Sequence, residues 1–478
     1  MKVVFFLRGF ENLGAEYISA ILKKNGHELS IVFSEDFFDD GIFDNFYLKN
    51  CFNMNAKQNA ERILNDSPEI VLFSSMTDTI RKDLAVAFWV KRMNNNINIL
   101  FGGIHPTLLP ERVLNYSFVD FVCVGEGEKS VSKLIYSLSK GIPINIKGIW
   151  YKQNGKIINT GVSDIVENLD EIPFADKGIF SEIVPEFMHY YRIITGRGCP
   201  YNCAFCAHFS LRKLYGKYGL RRRSPKNVIA ELKLAKKKFN PKAVIFEDDL
   251  FLYDEEWLIK FLQEYREKIS LPFQCTAYPS CLSENILNML KNSGCRFIEI
   301  GVQTLNEKVR KKILNRKETN HEIFTSLKLL KNSGIKFNIF HITDIPGVLR
   351  DDEKKALELY LWAKPSAIHY VRLTYYPNTG MRYLIDEKEY VNICDGRLKS
   401  YEIIGDENID IYNLFGLICI LPKKIIRFLL GKKLIRLNSN YIFKIFPSTL
   451  CFLTGRASYS MRIYPLYYLR LVKKLFLK

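Results

Sequence analysis

The stretch Thr195-Gly196-Arg197-Gly198-Cys199-Pro200-Tyr201-Asn202-Cys203-Ala204-Phe205-Cys206 decides how this chain is read. It sets three thiols at Cys-x3-Cys-x2-Cys spacing directly after Arg192-Ile193-Ile194-Thr195, a run that reads as a strand. Thiolates spaced this way in a loop can each ligate one iron of a [4Fe–4S] cluster, which leaves the fourth iron open to an exogenous chelate. Gly196 and Gly198 are expected to let the backbone turn tightly beside the metal without a Cβ clash. A zinc site or a few buried thiols are the alternatives, but zinc takes a fourth ligand at motif spacing and buried thiols need no such clustering.

With Phe205 as its aromatic, the loop resembles the Cys-x3-Cys-x-aromatic-Cys motif of the radical S-adenosylmethionine (SAM) enzymes. The resemblance implies that Cys199, Cys203 and Cys206 hold the cluster and that the methionyl amino and carboxylate groups of SAM chelate its open iron. An electron, supplied by a flavodoxin- or ferredoxin-type donor, then cleaves the sulfonium to a 5′-deoxyadenosyl radical. The cofactors carry that chemistry and the protein positions them.

Downstream, βα units repeat: strands at Ala243 to Phe246, Phe273 to Thr276, Arg296 to Gly301, Lys336 to Ile342 and Ile368 to Leu373, with helices near 255–268, 283–293, 306–313 and 351–363. Ser224 and Pro225 mark a helix start as N-cap and first helical residue. With the cysteine-bearing strand this makes about six units, which suit the open (β/α)6 barrel of the family, its chemistry at the carboxyl ends of the strands. There Glu247-Asp248-Asp249 stands where relatives place the acidic group for the SAM amine or ribose, with Asp248 and Asp249 favoured; a metal site or an N-cap is the other reading. Glu299-Ile300-Gly301-Val302-Gln303-Thr304 resembles the family's Gly-x-Glu-Ser strand end, with Gln303 in the Glu position. Thr343-Asp344-Ile345-Pro346-Gly347 is similar to its Gly-x-Pro-Gly turn beside the adenine, Pro346 matching and Asp344 replacing Gly. Tyr376-Pro377-Asn378-Thr379-Gly380 is like its Pro-Gly-Thr. Cys275-Thr276-Ala277-Tyr278 lies where many relatives carry an Arg, which puts a SAM carboxylate contact there in doubt. Arg221-Arg222-Arg223 reads either as a SAM contact or as an ordinary basic helix entry. Cys275, Cys281 and Cys295 lack cluster spacing and read as core thiols.

Upstream, strands at Val3 to Leu7, Leu29 to Phe33, Ile70 to Ser74, Ile97 to Phe101 and Phe118 to Val124 alternate with helices near 14–25, 56–66, 79–95 and 128–140. This βα pattern predicts a doubly wound parallel sheet, which binds ligands beyond the carboxyl ends of its strands. The glycine-bearing strand ends Gly102-Gly103-Ile104-His105-Pro106-Thr107 and Gly125-Glu126-Gly127-Glu128, together with Leu13-Gly14-Ala15-Glu16-Tyr17 and Asn25-Gly26-His27-Glu28, resemble the cobalamin-binding domain that precedes the barrel in one large class of radical SAM proteins. The resemblance implies a cobalamin site at Leu13, Gly14, Gly102, Gly103, His105, Pro106, Thr107, Gly125, Glu126 and Gly127. The Asp-x-His-x-x-Gly motif that supplies an axial imidazole elsewhere is absent, so no protein histidine is expected on cobalt. A flavodoxin-like spacer that binds nothing is the alternative.

Between the two regions, Gly148 to Ile158 holds two β-rich runs joined by Asn154-Gly155, a hairpin signal, and Asn168-Leu169-Asp170-Glu171-Ile172-Pro173-Phe174 reads as an extended linker. The expected organisation is therefore α/β throughout. A cobalamin-binding Rossmann-like domain spans 1–146, a hairpin and linker 147–190, a partial TIM-type (β/α)6 barrel 191–385, and a basic α-helical extension 386–478.

Composition agrees with a globular chain: 478 residues, 47% hydrophobic and 25% charged. Eleven cysteines, only three of them clustered, argue against a disulfide framework and for a reducing, cytoplasmic setting. The apolar run at Met1 to Arg8 is too short for a signal peptide and reads as a first core strand. The net charge of +18 is concentrated at one end, since Ile411 to Lys478 holds thirteen Lys or Arg and no Asp or Glu. Its apolar stretches, Ile411 to Leu421 and Tyr464 to Leu477, fall short of a spanning helix. Either this surface lies on the inner face of an anionic membrane, or its apolar faces cover the barrel and its cations are solvated. No nucleic-acid module is recognisable.

The reading favoured by these residues is a cobalamin-dependent radical SAM enzyme that methylates an unactivated carbon of a small molecule, with the tail suggesting a lipid-like substrate. Cyclisation or rearrangement, a radical SAM enzyme without cobalamin, and a cobalamin or cluster sensor remain as alternatives.

Overall fold

The structure, a computed structural model, describes residues 1–36, 53–397, 408–432, 450 and 457–463. It comprises two compact units: residues 1–183 with 205–218 and 374–399, and residues 184–204 with 219–373 and 400–478.

The first unit is built on a seven-stranded sheet ordered β2-β1-β3-β4-β5-β6-β7. Its strands are β1 (Lys2–Arg8), β2 (Glu28–Ser34), β3 (Ile70–Ser74), β4 (Asn98–Gly102), β5 (Phe121–Cys123), β6 (Ile149–Gln153) and β7 (Lys156–Ile158). The first five are parallel, and the order reverses direction at β1 and β3, the switch point of a doubly wound sheet. Helices Leu13–Lys24, Ala56–Asn65, Ile80–Met93 and Gly127–Lys140 connect them close to where periodicity puts them. The strand expected over Phe118 to Val124 shortens to three residues because the Asp120 carboxylate accepts the Ile99 N–H at 2.7 Å, taking a position a strand carbonyl would fill. The hairpin turns through Asn154 (φ 50°) and Gly155 (φ 74°), the left-handed pair a two-residue loop requires. It is not a mere spacer: β6 pairs antiparallel with β5, Val122 opposite Trp150, so the hairpin extends the sheet.

The second unit holds six parallel strands ordered β15-β14-β13-β12-β11-β8, the open barrel expected from the βα repeat. They are β8 (Tyr190–Ile193), β11 (Ala243–Phe246), β12 (Phe273–Ala277), β13 (Cys295–Gln303), β14 (Lys336–Thr343) and β15 (Ala367–Arg372); β9 (Gly196–Arg197) and β10 (Arg221–Arg222) form a separate antiparallel ribbon. Helix Pro225–Phe239 starts where Ser224 Oγ accepts the Asn227 N–H at 3.2 Å. Between β13 and β14 the chain forms two helices rather than the single one near 306–313. The second, Asn320–Ser333, is announced by the capping box Thr319-x-x-Glu322 and stopped by Gly334 at φ 75°. The core lies between the outward face of the strands and these helices, with Phe246, Phe251, Phe261, Tyr265 and Phe273 at its centre.

Two stretches that chain order would give to the barrel and extension, 205–218 and 374–399, belong to the first unit. Tyr215 Oη accepts the Glu126 N–H, Asn378 Nδ2 donates to Leu108 O, and Arg112 pairs with Asp395, each within 2.9 Å. In the tail, helix Ile409–Leu417 is buried among β15 and helix Arg350–Ala363 and tied by the Arg350–Asp410 pair at 2.6 Å, so this apolar run covers the barrel. Tyr464 to Leu477 lies outside the described residues. Among the described residues no helix is long and apolar enough to cross a membrane.

Phe261 stacks on Trp257 at 4.9 Å and meets Phe246 edge-on at 5.5 Å with none of its surface exposed. Phe261→Ala is expected to lower unfolding free energy by about 3–5 kcal/mol, read by urea denaturation of the second unit's signal.

Candidate functional site

Cys199, Cys203 and Cys206 are all half-buried. Their loop is shaped by its neighbours before any metal enters. Ala204 N donates to Leu314 O at 2.9 Å, Asn315 Nδ2 donates to Asn202 O at 2.7 Å, and the Tyr201 ring stacks on Tyr278 at 4.1 Å. Arg316 lies over the other ring of that stack, 4.5 Å from the Tyr278 centroid, with Glu318 as its ion partner. Burial pushes the Cys203 thiol up to about 11, against the pull of Arg316. Cys206 occupies the N-cap of helix Ala207–Tyr215. Phe205 beside it is half-buried. The two glycines leave no room for a Cβ, as expected: one at Gly196 would sit 2.9 Å from Arg221 O, and one at Gly198, whose φ is 90°, would strike Gly219 O, so they also serve packing against the 219–221 segment.

At the barrel's strand ends, Asp248 is engaged internally. Its carboxylate accepts Thr195 Oγ1–H at 2.7 Å, Thr195 N–H at 3.0 Å and Arg222 Nη1–H at 3.1 Å, and it is 2% exposed. Burial pushes its pKa up, opposed by Arg222 and Thr195. Asp248 thus positions the strand before the cysteines instead of facing a ligand; Asp249 next to it is exposed. Arg222 continues the tie to Leu250 O and Phe251 O, and Arg223 pairs with Glu231 at 2.6 Å, so neither arginine is a free basic entry. Gln303 ends β13 at φ 66°, and Pro346 is half-buried in the following turn, where Asp344 (φ 59°) and Gly347 (φ 85°) both adopt left-handed backbone. That conformation explains why Gly suits the Asp344 position and why Asp is tolerated.

In the first unit the sequence-derived ligand loops are brought to one end of the sheet, but several of their residues are committed to each other. His105 is 1% exposed and its Nδ1 lies 3.1 Å from Thr77 Oγ1; burial lowers its pKa to about 4, leaving a neutral, enclosed ring. Pro106 and Thr107 are buried beside it, and Thr107 Oγ1 accepts the Gly125 N–H at 3.1 Å. A Cβ at Gly103 would lie 2.6 Å from Ser75 O, and one at Gly125 would meet Ser163 Oγ at 2.5 Å and the Tyr215 hydroxyl. Glu126 accepts the Val166 N–H at 2.8 Å, and Gly127 packs on Ile18. Gly102 has only ordinary contacts, Gly14 is exposed, and Leu13 opens helix Leu13–Lys24 behind the Asn12 cap. These contacts join residues from distant parts of the chain, and nothing local in sequence announces Ser163 or Tyr215. A buried triad escaped sequence reading for the same reason: Lys177 reaches Glu11 at 2.5 Å and Glu16 at 2.7 Å. A cavity of about 810 Å³ opens beside these loops, lined by Thr107, Leu108, Val124, Tyr116, Trp150 and Asn378 among others.

Comparison with known proteins settles the family. Residues 9–135 match the B12 binding domain and residues 193–360 the radical SAM superfamily. The chain is a radical SAM protein with a B12 binding domain. This radical SAM protein is 25% identical over 377 residues to an uncharacterized methyltransferase of Pyrococcus horikoshii, covering 77% of each chain. It is 23% identical over 359 residues to the anaerobic magnesium-protoporphyrin IX monomethyl ester cyclase of Rubrivivax gelatinosus, covering 70% of this chain and 61% of that one. Its fold is similar to that of the cobalamin-dependent SAM radical enzyme OxsB, with a TM-score of 0.66 and 17% identity over 98% of this chain and 75% of that one. A [4Fe–4S] cluster, SAM and cobalamin are the cofactors of this class of enzyme.

The residues present fit those groups. Three cysteines on a pre-shaped loop are a donor set for a cubane, which takes one thiolate per iron. Among the described residues no three acidic, His or Cys groups converge on a single ion, and a cubane does not need them to. In the first unit the cavity beside the β4 and β5 ends combines apolar walls with amide and hydroxyl groups, as a large amide-rimmed ring requires.

Gly9 and Gly125 both have positive φ, 71° and 101°, but only Gly125 is crowded. Gly9→Ala should therefore lose about 1–2 kcal/mol from left-handed strain alone. Gly125→Ala should lose a further 1–3 kcal/mol or so from overpacking against Tyr215 and Ser163, measured by denaturant titration of both variants.

Proposed function

We propose that this protein is a cobalamin-dependent radical SAM methyltransferase that adds a methyl group to an unactivated carbon of a small molecule. The observation that carries the proposal is the cysteine loop, held in place by Leu314, Asn315, Tyr278 and Arg316 directly after a barrel strand whose end is fixed by Asp248. In this reading residues 1–146 bind cobalamin, 191–385 form the SAM barrel and 386–478 the extension.

When bound, the cofactors supply one-electron cleavage of the sulfonium and a transferable methyl group. Cys199, Cys203 and Cys206 hold the cluster, and Phe205 flanks it. In this reading Asp249, Gln303 and Pro346 meet the SAM amine, ribose and adenine, while Asp248 and Arg222 keep the strand before the loop in register. A flavodoxin- or ferredoxin-type donor reduces the site. Similarity to the cyclase keeps ring closure as a second outcome of the same hydrogen abstraction.

A lipid-like substrate with membrane contact is supported by helix Lys423–Lys432, which exposes Ile425 and Phe428 (59% exposed) beside Lys423 and Lys424. Each such cation near an anionic surface is worth ~1 kcal/mol. Co-sedimentation with phosphatidylglycerol vesicles, lost in Ile425→Asp/Phe428→Asp and absent with phosphatidylcholine vesicles, is expected on this view. Equal sedimentation of both proteins would reject it.

Anaerobic reconstitution should load iron and sulfide and, with dithionite and SAM, release 5′-deoxyadenosine. Replacing the three cysteines by alanine should abolish both. A corrinoid should co-purify or be taken up, and methyl-deuterated SAM should pass its label to the product. Retention of most of the iron by the triple variant would sink the proposal.

A further inference from the structure

Side chains along the second unit's strands alternate between the helix-covered face and the inner face. The outward positions Tyr191, Val244, Ile298 and Ile339 are buried core. Of the inward positions, Arg192, Glu247, Thr276, Glu299, Phe340 and His369 are half-buried while Ile245, Gln274, Phe297 and Asn338 are buried, so solvent reaches part of the chamber inside the open barrel.

Residues 457–463 form its floor. The Tyr459 ring stacks on Tyr190 at 5.4 Å and meets Phe297 edge-on at 5.2 Å, both near the amino ends of their strands. Gln274 Oε1 accepts the N–H groups of Tyr459 at 2.8 Å and Ser460 at 3.3 Å, and Ser460 Oγ donates to Glu299 Oε1 at 3.1 Å. With the floor at that end, the other end of the chamber is where β8 runs into the cysteine loop.

The chamber's charges do not balance. Arg192 pairs with Glu247 at 2.8 Å, whereas Glu299 has no ion partner among the described residues. Asn338, opposite Glu299 across β13 and β14, is 1% exposed, and its Oδ1 finds no donor among the described residues. Its Nδ2 lies 3.4 Å from His369 Nε2. A carboxylate without an ion partner beside an amide oxygen without a donor, both among the described residues, is the complement of a group that carries several N–H bonds and a positive charge.

We propose that Glu299 and Asn338 recognise a primary ammonium group on the substrate. This rests on the barrel being the reaction chamber of the function proposed above. The ammonium is held by donation to Glu299 and Asn338 Oδ1 on the inner face, with the reacting carbon directed toward the strand carboxyl ends. Burial, with help from Glu247, pushes the Glu299 pKa up to about 7, against hydrogen bonds from Ser460, Asn338 and Ser458. The other groups facing it are the neutral Gln274 and Thr276, the Arg192–Glu247 pair, and His369, lowered to about 4 by burial and so uncharged. Arg462, from the floor segment, is turned onto the rings of Phe297 and Tyr459. Deprotonation of Glu299 is therefore the change that makes the chamber attract a cation.

The test uses the anaerobically purified full-length protein and three probes of one skeleton, n-butylammonium, n-butyrate and n-butanol, followed by saturation-transfer NMR. Butylammonium alone is expected to bind, more tightly above pH 7 than below it, and about tenfold more weakly in Glu299→Gln and in Asn338→Leu. Binding of butyrate or butanol as well as the ammonium, binding of none of them, or ammonium binding indifferent to pH overturns the proposal. So does unchanged affinity in Glu299→Gln; should that variant fail to fold, the pH series on the unaltered protein decides alone. The probes need neither cluster nor SAM nor corrinoid. A protein that takes the ammonium but releases no 5′-deoxyadenosine overturns the radical reading and leaves this site standing, and the reverse result does the opposite.

Discussion

The buried contact between Asp248, Thr195 and Arg222 is the constraint on which the second unit's chemistry depends. It joins the end of β8, the loop after β11 and the β9–β10 ribbon at one carboxylate. A charge pair with so little exposure is a doubtful source of net stability, because desolvation offsets its Coulomb attraction. Its value is in geometry: removing either partner would strand the other in an apolar surround, so the arrangement has one low-energy form. Arg222 reinforces it by lying over Trp257, 4.6 Å from the ring centroid, and by donating to two backbone carbonyls. The cysteine loop follows within a few residues and inherits that fixed origin.

The same economy of contacts runs through the first unit. Loops at the strand ends are held to one another by Thr107 and Gly125, by Glu126 and Val166, and by Tyr215 over both. Arg8 performs the equivalent task at the end of β1, pairing with Asp36 at 2.7 Å and with Asp83 at 2.6 Å. Asp83 in turn accepts the Ser75 hydroxyl, and Ser75 backs Gly103. The glycines there are needed because other parts of the chain occupy the space a side chain would take.

Much of the architecture was legible in the sequence. Parallel strands covered on both faces are written as short apolar runs, and the βα repeat admits few topologies, so strand positions in both units fall within a few residues of expectation. The cysteine motif was legible because its ligands are neighbours in sequence. Less was legible at the strand ends. Asp248, His105 and Glu126 have the residue type and position of ligand contacts, yet each is satisfied by the protein itself, and burial is a property no single position reveals. The helix Asn320–Ser333 was missed although Thr319 and Glu322 spell its capping box.

By itself, then, the sequence determined the order of strands and helices and the three-thiol donor set, because those follow from local periodicity and spacing. Only the tertiary structure decided that the hairpin joins the sheet, that residues 205–218 and 374–399 belong to the first unit, and that Ser458 and Ser460 reach Glu299. These are contacts between residues tens to hundreds of positions apart, and a hydrogen bond of that kind leaves no periodic trace in the chain that makes it.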